Sequence, residues 1–243
     1  MPPILHLMRH GQGYHSSEVT PKDGHLLHDP SLTPKGIAQC QSRRDAFDRH
    51  SQIELLLASP LRRAIQTTTH AFAPCIARGL KIIALPAAEE VSSDPCDTGS
   101  STATLRKEFG DDLVDFSHLS TSAGGDEGWF EHVGDYSSEA EKVHARAETL
   151  RRWIRERKEK EVVLVSHGYF AHYLTHEVDK DGQQTTPWWG EAELRSYRFE
   201  EVGESAVLVE LRESVERRGV DGEKTGEKRV LLNLPGSKGL VIH

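Results

Sequence analysis

Cysteine is scarce: Cys40, Cys75 and Cys96 are the three in 243 residues. An odd, low number gives no disulfide framework and favours a reducing compartment, and no Cys-x-x-Cys pair suggests a structural metal site. Long apolar runs are missing too, so no segment reads as a membrane span. Positive charge is not in excess. The formal net charge is −8, which argues against nucleic acid or an anionic membrane surface as the main partner. The chain enters its first apolar run within a few residues of Met1, which leaves no room for a signal peptide and makes the cytoplasm the expected location. With this length the chain can bury the core of one domain carrying a sizeable insertion.

What is present is a set of short apolar runs that stop abruptly at polar, charged or glycine residues. Leu5-His6-Leu7-Met8 ends in Arg9-His10-Gly11, and Val162-Val163-Leu164-Val165 ends in Ser166-His167-Gly168. Each reads as a buried strand that delivers an imidazole to a tight turn. Leu55-Leu56-Leu57-Ala58 runs into Ser59-Pro60-Leu61-Arg62-Arg63. Ser59 as N-cap and Pro60 as first helical residue would put both arginines in a first helical turn, where backbone N–H groups already favour anions. Ile82-Ile83-Ala84-Leu85 leads through Pro86 to Glu89-Glu90. In parallel α/β sheets ligands bind beyond the carboxyl ends of the strands. These ends therefore assemble a cationic cradle with two imidazoles and a carboxylate.

Arg9-His10-Gly11, the segment Ser59 to Thr67, Glu90 and Ser166-His167-Gly168, in that order, resemble the histidine phosphatase superfamily, in its phosphoglycerate-mutase-like branch. The resemblance covers about residues 1–200. Asp29-Pro30-Ser31-Leu32-Thr33 and Pro95-Cys96-Asp97-Thr98-Gly99-Ser100 further resemble a fungal or yeast-type sub-branch. The family likeness implies a three-layer α/β/α sandwich with a mostly parallel central sheet. It also implies metal-independent hydrolysis of a phosphomonoester, with a phosphohistidine formed on His10 and no cofactor. Mutase activity is less expected, because the longer segments that would hold a phosphoglycerate are not found. The expected partner is a small phosphorylated metabolite or other small anion. Two other readings stand beside it. One is the same anion pocket repurposed for a carboxylate-type substrate, the other a catalytically weak interaction module.

The roles follow from chemistry. A neutral imidazole attacks phosphorus through its unprotonated nitrogen, so His10 needs its other nitrogen held as a donor by a carbonyl of the Gly11–Gly13 turn. The resemblance places the phosphate clamp on Arg9 and Arg63, and guanidinium suits it because it binds phosphoryl oxygens in pairs and stays charged. Arg62 belongs to the substrate-contact candidates as a rim contact, or is a plain surface arginine. His167 donates to a non-bridging oxygen or supports the charge that develops in the transition state. The resemblance makes Glu90 the general acid, with Glu89 its competitor, and since neighbours on an extended segment point in opposite directions only one of them can face the pocket. Gly11, Gln12, Ser16, Asp97 and Gly168 complete the substrate-contact set. Relatives carry an asparagine that touches phosphate where Ser16 stands here, and Trp188-Trp189 occupies a stretch where the sub-branch has another. His6, His15, His25 and His28 are further imidazoles for a zinc reading, which the neighbouring arginines disfavour.

The remaining chain reads as helices at 34–50, 60–73, 139–159 and 169–178, and strands at 3–9, 54–58, 80–85, 161–165, 194–200 and 206–212. Residues 86–137 are expected to form a cap-like insertion. Arg146, Arg151, Arg152 and Arg155 are expected on a solvated helix face. Residues 213–229 read as a flexible charged linker, and 230–234 as a late strand or a segment packed against the body.

Overall fold

A computed structural model describes residues 1–119, 129–200 and 206–221. Seven strands form one sheet: β1 (Ile4–Arg9), β2 (Leu55–Ala58), β3 (Ile82–Ala84), β4 (Val114–Asp115), β5 (Glu161–Ser166), β6 (Leu194–Phe199) and β7 (Leu208–Glu210). Their order is β4-β3-β2-β5-β1-β6-β7. The first five run parallel, β6 is antiparallel to β1, and β7 is antiparallel to β6. The helices are α1 (Pro34–Ala46), α2 (Arg62–Ala71), α3 (Ala73–Ala77), α4 (Thr102–Phe109), α5 (Ala140–Arg155), α6 (Gly168–Leu174) and α7 (Arg212–Asp221).

The near-continuous apolar runs follow from burial on both faces. Met8, Leu56, Val163 and Val165 face one core with Cys40, Ile65 and Leu105 from α1, α2 and α4. Leu5, Leu7, Leu57, Val162 and Leu164 face the other with Val143, Ala147, Leu150 and Phe170 from α5 and α6. The result is a three-layer α/β/α sandwich with a mostly parallel sheet. A fully buried leucine such as Leu164 contributes about 1.5–3 kcal/mol.

Several boundaries differ from expectation, each for a local reason. Helix α1 begins as read, with Pro34 at its first turn and the Thr33 hydroxyl accepting from Gly36 N–H at 3.0 Å. It stops at Ala46 because Phe47 turns extended to bury its ring. The 60–73 helix starts at Arg62, not Pro60, and Leu61 is its N-cap; the Ser59 hydroxyl instead accepts from Leu61 N–H at 3.3 Å. It breaks at Phe72, where Pro74 opens α3 and cannot continue the preceding hydrogen-bond ladder. The 86–137 insertion is more than a cap: it contributes α4 and the sheet-edge strand β4, which pairs with β3. The 213–229 linker reading is corrected as well, since Arg212–Asp221 is helical. The remainder of that stretch, the 230–234 strand and residues 120–128 of the insertion lie outside the described residues. No helix among the described residues is long and apolar enough to cross a membrane.

Candidate active site

Pairing of β1 with β5 puts Arg9 opposite Ser166, so His10 and His167 emerge side by side. The backbone continues the register: His10 N–H donates to Ser166 O at 3.0 Å, and Ser59 N–H to Val165 O at 2.9 Å. Three neighbouring strand ends thus place His10, His167 and Ser59 around one point. The His10 and His167 ring centres are 5.1 Å apart.

Arg63 ties these groups together from the first turn of α2. Its guanidinium is fully buried. Nε donates to His10 Nε2 at 3.2 Å, and Nη2 lies 3.0 Å from His167 Nδ1. Nη1 donates to Cys96 O at 2.6 Å, and Nη2 donates to Asp97 Oδ1 at 2.7 Å. Because arginine only donates, these contacts fix both tautomers. His10 bears its proton on Nδ1, which donates to Gly11 O at 2.7 Å, and carries a lone pair on Nε2. His167 accepts at Nδ1 and donates from Nε2 to the Ser59 hydroxyl at 2.8 Å. Both imidazoles have pKa values well below the usual range, through burial first and then the Arg63 charge.

Arg9 flanks the pair. Its Nη1 donates to Trp189 O at 2.6 Å, and its guanidinium carbon lies 5.6 Å from the Trp188 ring centre. Gly168 lies against both, since a Cβ there would stand 2.9 Å from the Trp188 ring and 3.0 Å from Arg9 Nε. The Trp188 ring and the Trp189 carbonyl therefore stand beside Arg9, while the Trp189 ring turns inward under Arg195.

Glu89 and Glu90 diverge, as adjacent extended residues do. Glu90 Oε2 accepts from Tyr169 N–H at 3.2 Å and Oε1 from Phe170 N–H at 2.9 Å. Its carboxyl thus sits on the N-terminus of α6, directly after His167. Burial and then the Asp97 charge push its pKa up to about 7. Glu89 turns toward α5, with Oε1 3.1 Å from Arg146 Nη1 and 3.9 Å from His132 Nδ1. Burial raises it well above the carboxylate range. Asp97 stands between these groups, holding Arg63 through Oδ1 and accepting from the Ser92 hydroxyl at 2.6 Å through Oδ2.

The structure gathers Arg9, His10, Gly11, Arg63, Glu90, Asp97, His167 and Gly168. Three other expected contacts turn elsewhere. Arg62 binds Asp29 and Glu108. The Gln12 amide donates to Glu18 and accepts from Thr33, and the Ser16 hydroxyl donates to Glu191 at 3.4 Å. In this closed arrangement none of the three points its polar atoms at His10.

The expected solvated arginine face on α5 needs correction. Arg146 and Arg151 are buried, and Arg146 lies over the Phe170 ring at 4.4 Å. A signal was available: Arg146 is three residues after Val143 and four before Leu150, on the edge of the apolar stripe. His132, whose Nε2 lies 3.1 Å from Asp97 O, and Ser59 as the partner of His167 had no such signal. Among the described residues, no three His, Cys, Asp or Glu side chains are grouped so as to hold a metal ion.

The profile of the histidine phosphatase superfamily, branch 1, matches residues 5–212. A phosphoglycerate mutase-like protein of Arabidopsis thaliana is 29% identical over 212 residues, covering 73% of this chain and 75% of that protein. A probable phosphatase of Schizosaccharomyces pombe is 33% identical over 107 residues, 43% of this chain and 49% of that protein. Among solved structures, a mycobacterial glucosyl-3-phosphoglycerate phosphatase superposes with a TM-score of 0.53 at 17% identity, across 86% of this chain and 97% of that one. That likeness is one of fold. The same mycobacterial protein has also been solved with VO3.

Proposed function

This chain belongs to the histidine phosphatase superfamily, and from that premise we propose a phosphatase that forms a phosphohistidine on His10. The observation that carries the reading is the tautomer of His10: Nδ1–H is fixed on Gly11 O and the Nε2 lone pair faces Arg63. That is a nucleophile held in its reactive form at neutral pH.

In the proposed cycle a small phosphomonoester enters, and its oxygens replace His10, His167 and Asp97 as acceptors on Arg63. Arg9 adds a second guanidinium, and both neutralise the equatorial oxygens as the phosphoryl group flattens. His10 Nε2 bonds to phosphorus while the bond to the leaving oxygen breaks. Protonated Glu90, its pKa near neutrality, gives that oxygen its proton. Glu90 carboxylate next takes a proton from water, whose oxygen bonds to phosphorus as the P–N bond breaks. Orthophosphate leaves, and Glu90 is protonated again. His167, neutral in the empty pocket, gains a proton affinity at Nδ1 once a dianion lies beside it, and then donates to an oxygen. Guanidinium and imidazole carry the charge stabilisation, so the cycle calls on no dication.

The test is single-turnover reaction with a labelled aryl phosphate, quenched without acid and with chelator present. An acid-labile, base-stable label on wild type but not on His10→Ala is the expected result. Hydrolysis without label would mean that water attacks directly, and dependence on an added dication would remove the metal-free cycle. Binding of phosphate with no turnover across a broad panel of esters would favour the repurposed pocket.

A further inference from the structure

The cycle above leaves one pocket imidazole unused. The loop between β1 and α1 brings the His15 ring to 5.5 Å from the His10 ring, centre to centre, at a tilt of 57°. Its Nδ1 is buried and has no hydrogen-bond partner among the described residues. Buried polar atoms are rarely left so, because the lost hydration is not recovered. The loop packs closely on this residue. A Cβ on Gly13 would stand 2.6 Å from His15 Cε1 and Nδ1, and one on Gly24 would stand 2.3 Å from the His15 carbonyl oxygen. Tyr14 N–H donates to Ser31 O at 3.1 Å and Ser16 N–H to Gly13 O at 3.0 Å, which pins the backbone on both sides. Ser16, next along, turns to Glu191.

We infer that His15 is a phosphoryl-binding residue, donating an imidazole N–H to an oxygen of the anion held by Arg9 and Arg63. The residue type suits the place. Burial and the charges of Arg63 and Arg9 hold the ring neutral in the empty pocket. A third permanent cation there would be repelled, whereas an imidazole is neutral beside two arginines and gains charge only when a dianion arrives. Chemistry at His10 is not needed for this contact. The inference rests on the pocket being a phosphate site and is independent of the phosphohistidine step.

The test measures orthophosphate binding calorimetrically for the full chain as wild type, His15→Ala and His15→Asn, with melting curves for each. Loss of one hydrogen bond to a charged group weakens binding about ten- to a hundredfold, so His15→Ala should fall in that range. The amide of His15→Asn donates a neutral hydrogen bond and should recover most of the loss. Unchanged orthophosphate affinity in a folded His15→Ala, or His15→Asn no better than His15→Ala, overturns the assignment. Should His15→Ala not fold, the imidazole nitrogen resonances of wild type decide. A His15 signal that moves on adding orthophosphate supports the contact, and one that stays fixed overturns it. A wild type that binds neither orthophosphate nor vanadate overturns the phosphate-site reading and this one with it. Absence of a phosphohistidine with normal orthophosphate binding removes only the covalent step.

Discussion

His6 and His10 stand four residues apart along the same stretch of chain, one inside β1 and the other just past its carboxyl end, and both are buried. The partners of His6 close every valence. Nδ1 is 2.9 Å from the Ser196 hydroxyl and Nε2 is 3.0 Å from Glu161 Oε2. Arg49 bonds both oxygens of Glu161, and Arg217 donates to the Ser196 hydroxyl at 3.1 Å. Burial raises the Glu161 carboxyl, but the hydrogen bonds from His6 and Arg49 outweigh it and hold the group down to about 2. His10 has one nitrogen on a backbone carbonyl and the other against a guanidinium that an anion can claim. Nearby, burial lifts Glu90 to about 7 and Glu89 well above the ordinary carboxylate range. What separates the two ends is whether hydrogen bonds offset burial: at Glu161 those from His6 and Arg49 do, and at Glu89 and Glu90 burial dominates. Carboxylate with cation gives a closed structural lock; imidazole with cation gives an anion site, beside which the buried Glu89 and Glu90 hold their protons more tightly than ordinary carboxyls.

The largest expected effect tests that contrast directly. His10→Ala should lose at least about 10⁴-fold in turnover, because binding alone does not replace a covalent step, while melting near the wild-type temperature. His6→Ala should do the reverse. Losing one hydrogen bond each to Glu161 and the Ser196 hydroxyl, and leaving a void inside β1, costs about 1–3 kcal/mol of stability, with turnover of the folded fraction within about threefold, since His6 touches nothing at the pocket. Paired activity and melting measurements on both variants decide. A His6→Ala that melts normally yet has lost turnover would break the comparison.

Next in size is Glu90→Gln. With an alkyl phosphate the departing alkoxide needs a proton, and removing its donor costs about 10²–10⁴-fold. With a nitrophenyl ester the leaving group departs unprotonated, and the loss should stay below about tenfold. Glu89→Gln should treat both substrates alike. The reverse pattern would transfer the acid role to Glu89.

At the other end of the sheet, Glu161 makes stability depend on acid. Its folded pKa of about 2 lies below its ordinary 4.5. The stabilisation is therefore complete above the ordinary value and drains as pH falls from about 5 toward 2. Glu161→Gln should lower stability at neutral pH by about 2 kcal/mol and flatten that part of the acid-unfolding curve. Urea titrations at pH 3, 4 and 7 measure both, and parallel losses at all three would deny Glu161 the pH role.

The strand ends were legible because an apolar run cut off by Arg-His-Gly or Ser-His-Gly reads as a buried strand of a parallel sheet that ends at a turn. What stayed hidden depends on distance along the chain. β4 has two residues and no period to detect. His132 reaches Asp97 across 35 residues, and Ser59 reaches His167 across 108. The opposite directions of Glu89 and Glu90 were readable, but which one meets α6 depends on where β3 ends relative to β5. Arg146 was misread because its charge was weighed above its position on the stripe. Gln12 and Ser16 lie near the right turn in sequence, yet their side chains are already engaged by Glu18, Thr33 and Glu191.

The smallest expected effect concerns Asp97, which holds Arg63 in the closed pocket and lifts Glu90 by its charge. Asp97→Asn removes the charge while leaving an oxygen to accept from Arg63. Two consequences act in one direction on Glu90: a repelling carboxylate disappears, and the Arg63 charge is less neutralised. Glu90 should then titrate about half a unit to one unit lower. As general acid it works only when protonated, so the alkaline limb of kcat/KM for an alkyl phosphate should move to lower pH by that amount. For a nitrophenyl ester the limb should not move, because no proton is needed. Arg63 is also less strongly held by a neutral amide than by a carboxylate, which favours its transfer to phosphate. KM should therefore fall modestly at acidic pH, where Glu90 remains protonated in both forms. An alkaline limb that moves equally for both substrates would tie the shift to phosphate binding at Arg63, and Asp97 would then act on the clamp and not on the acid.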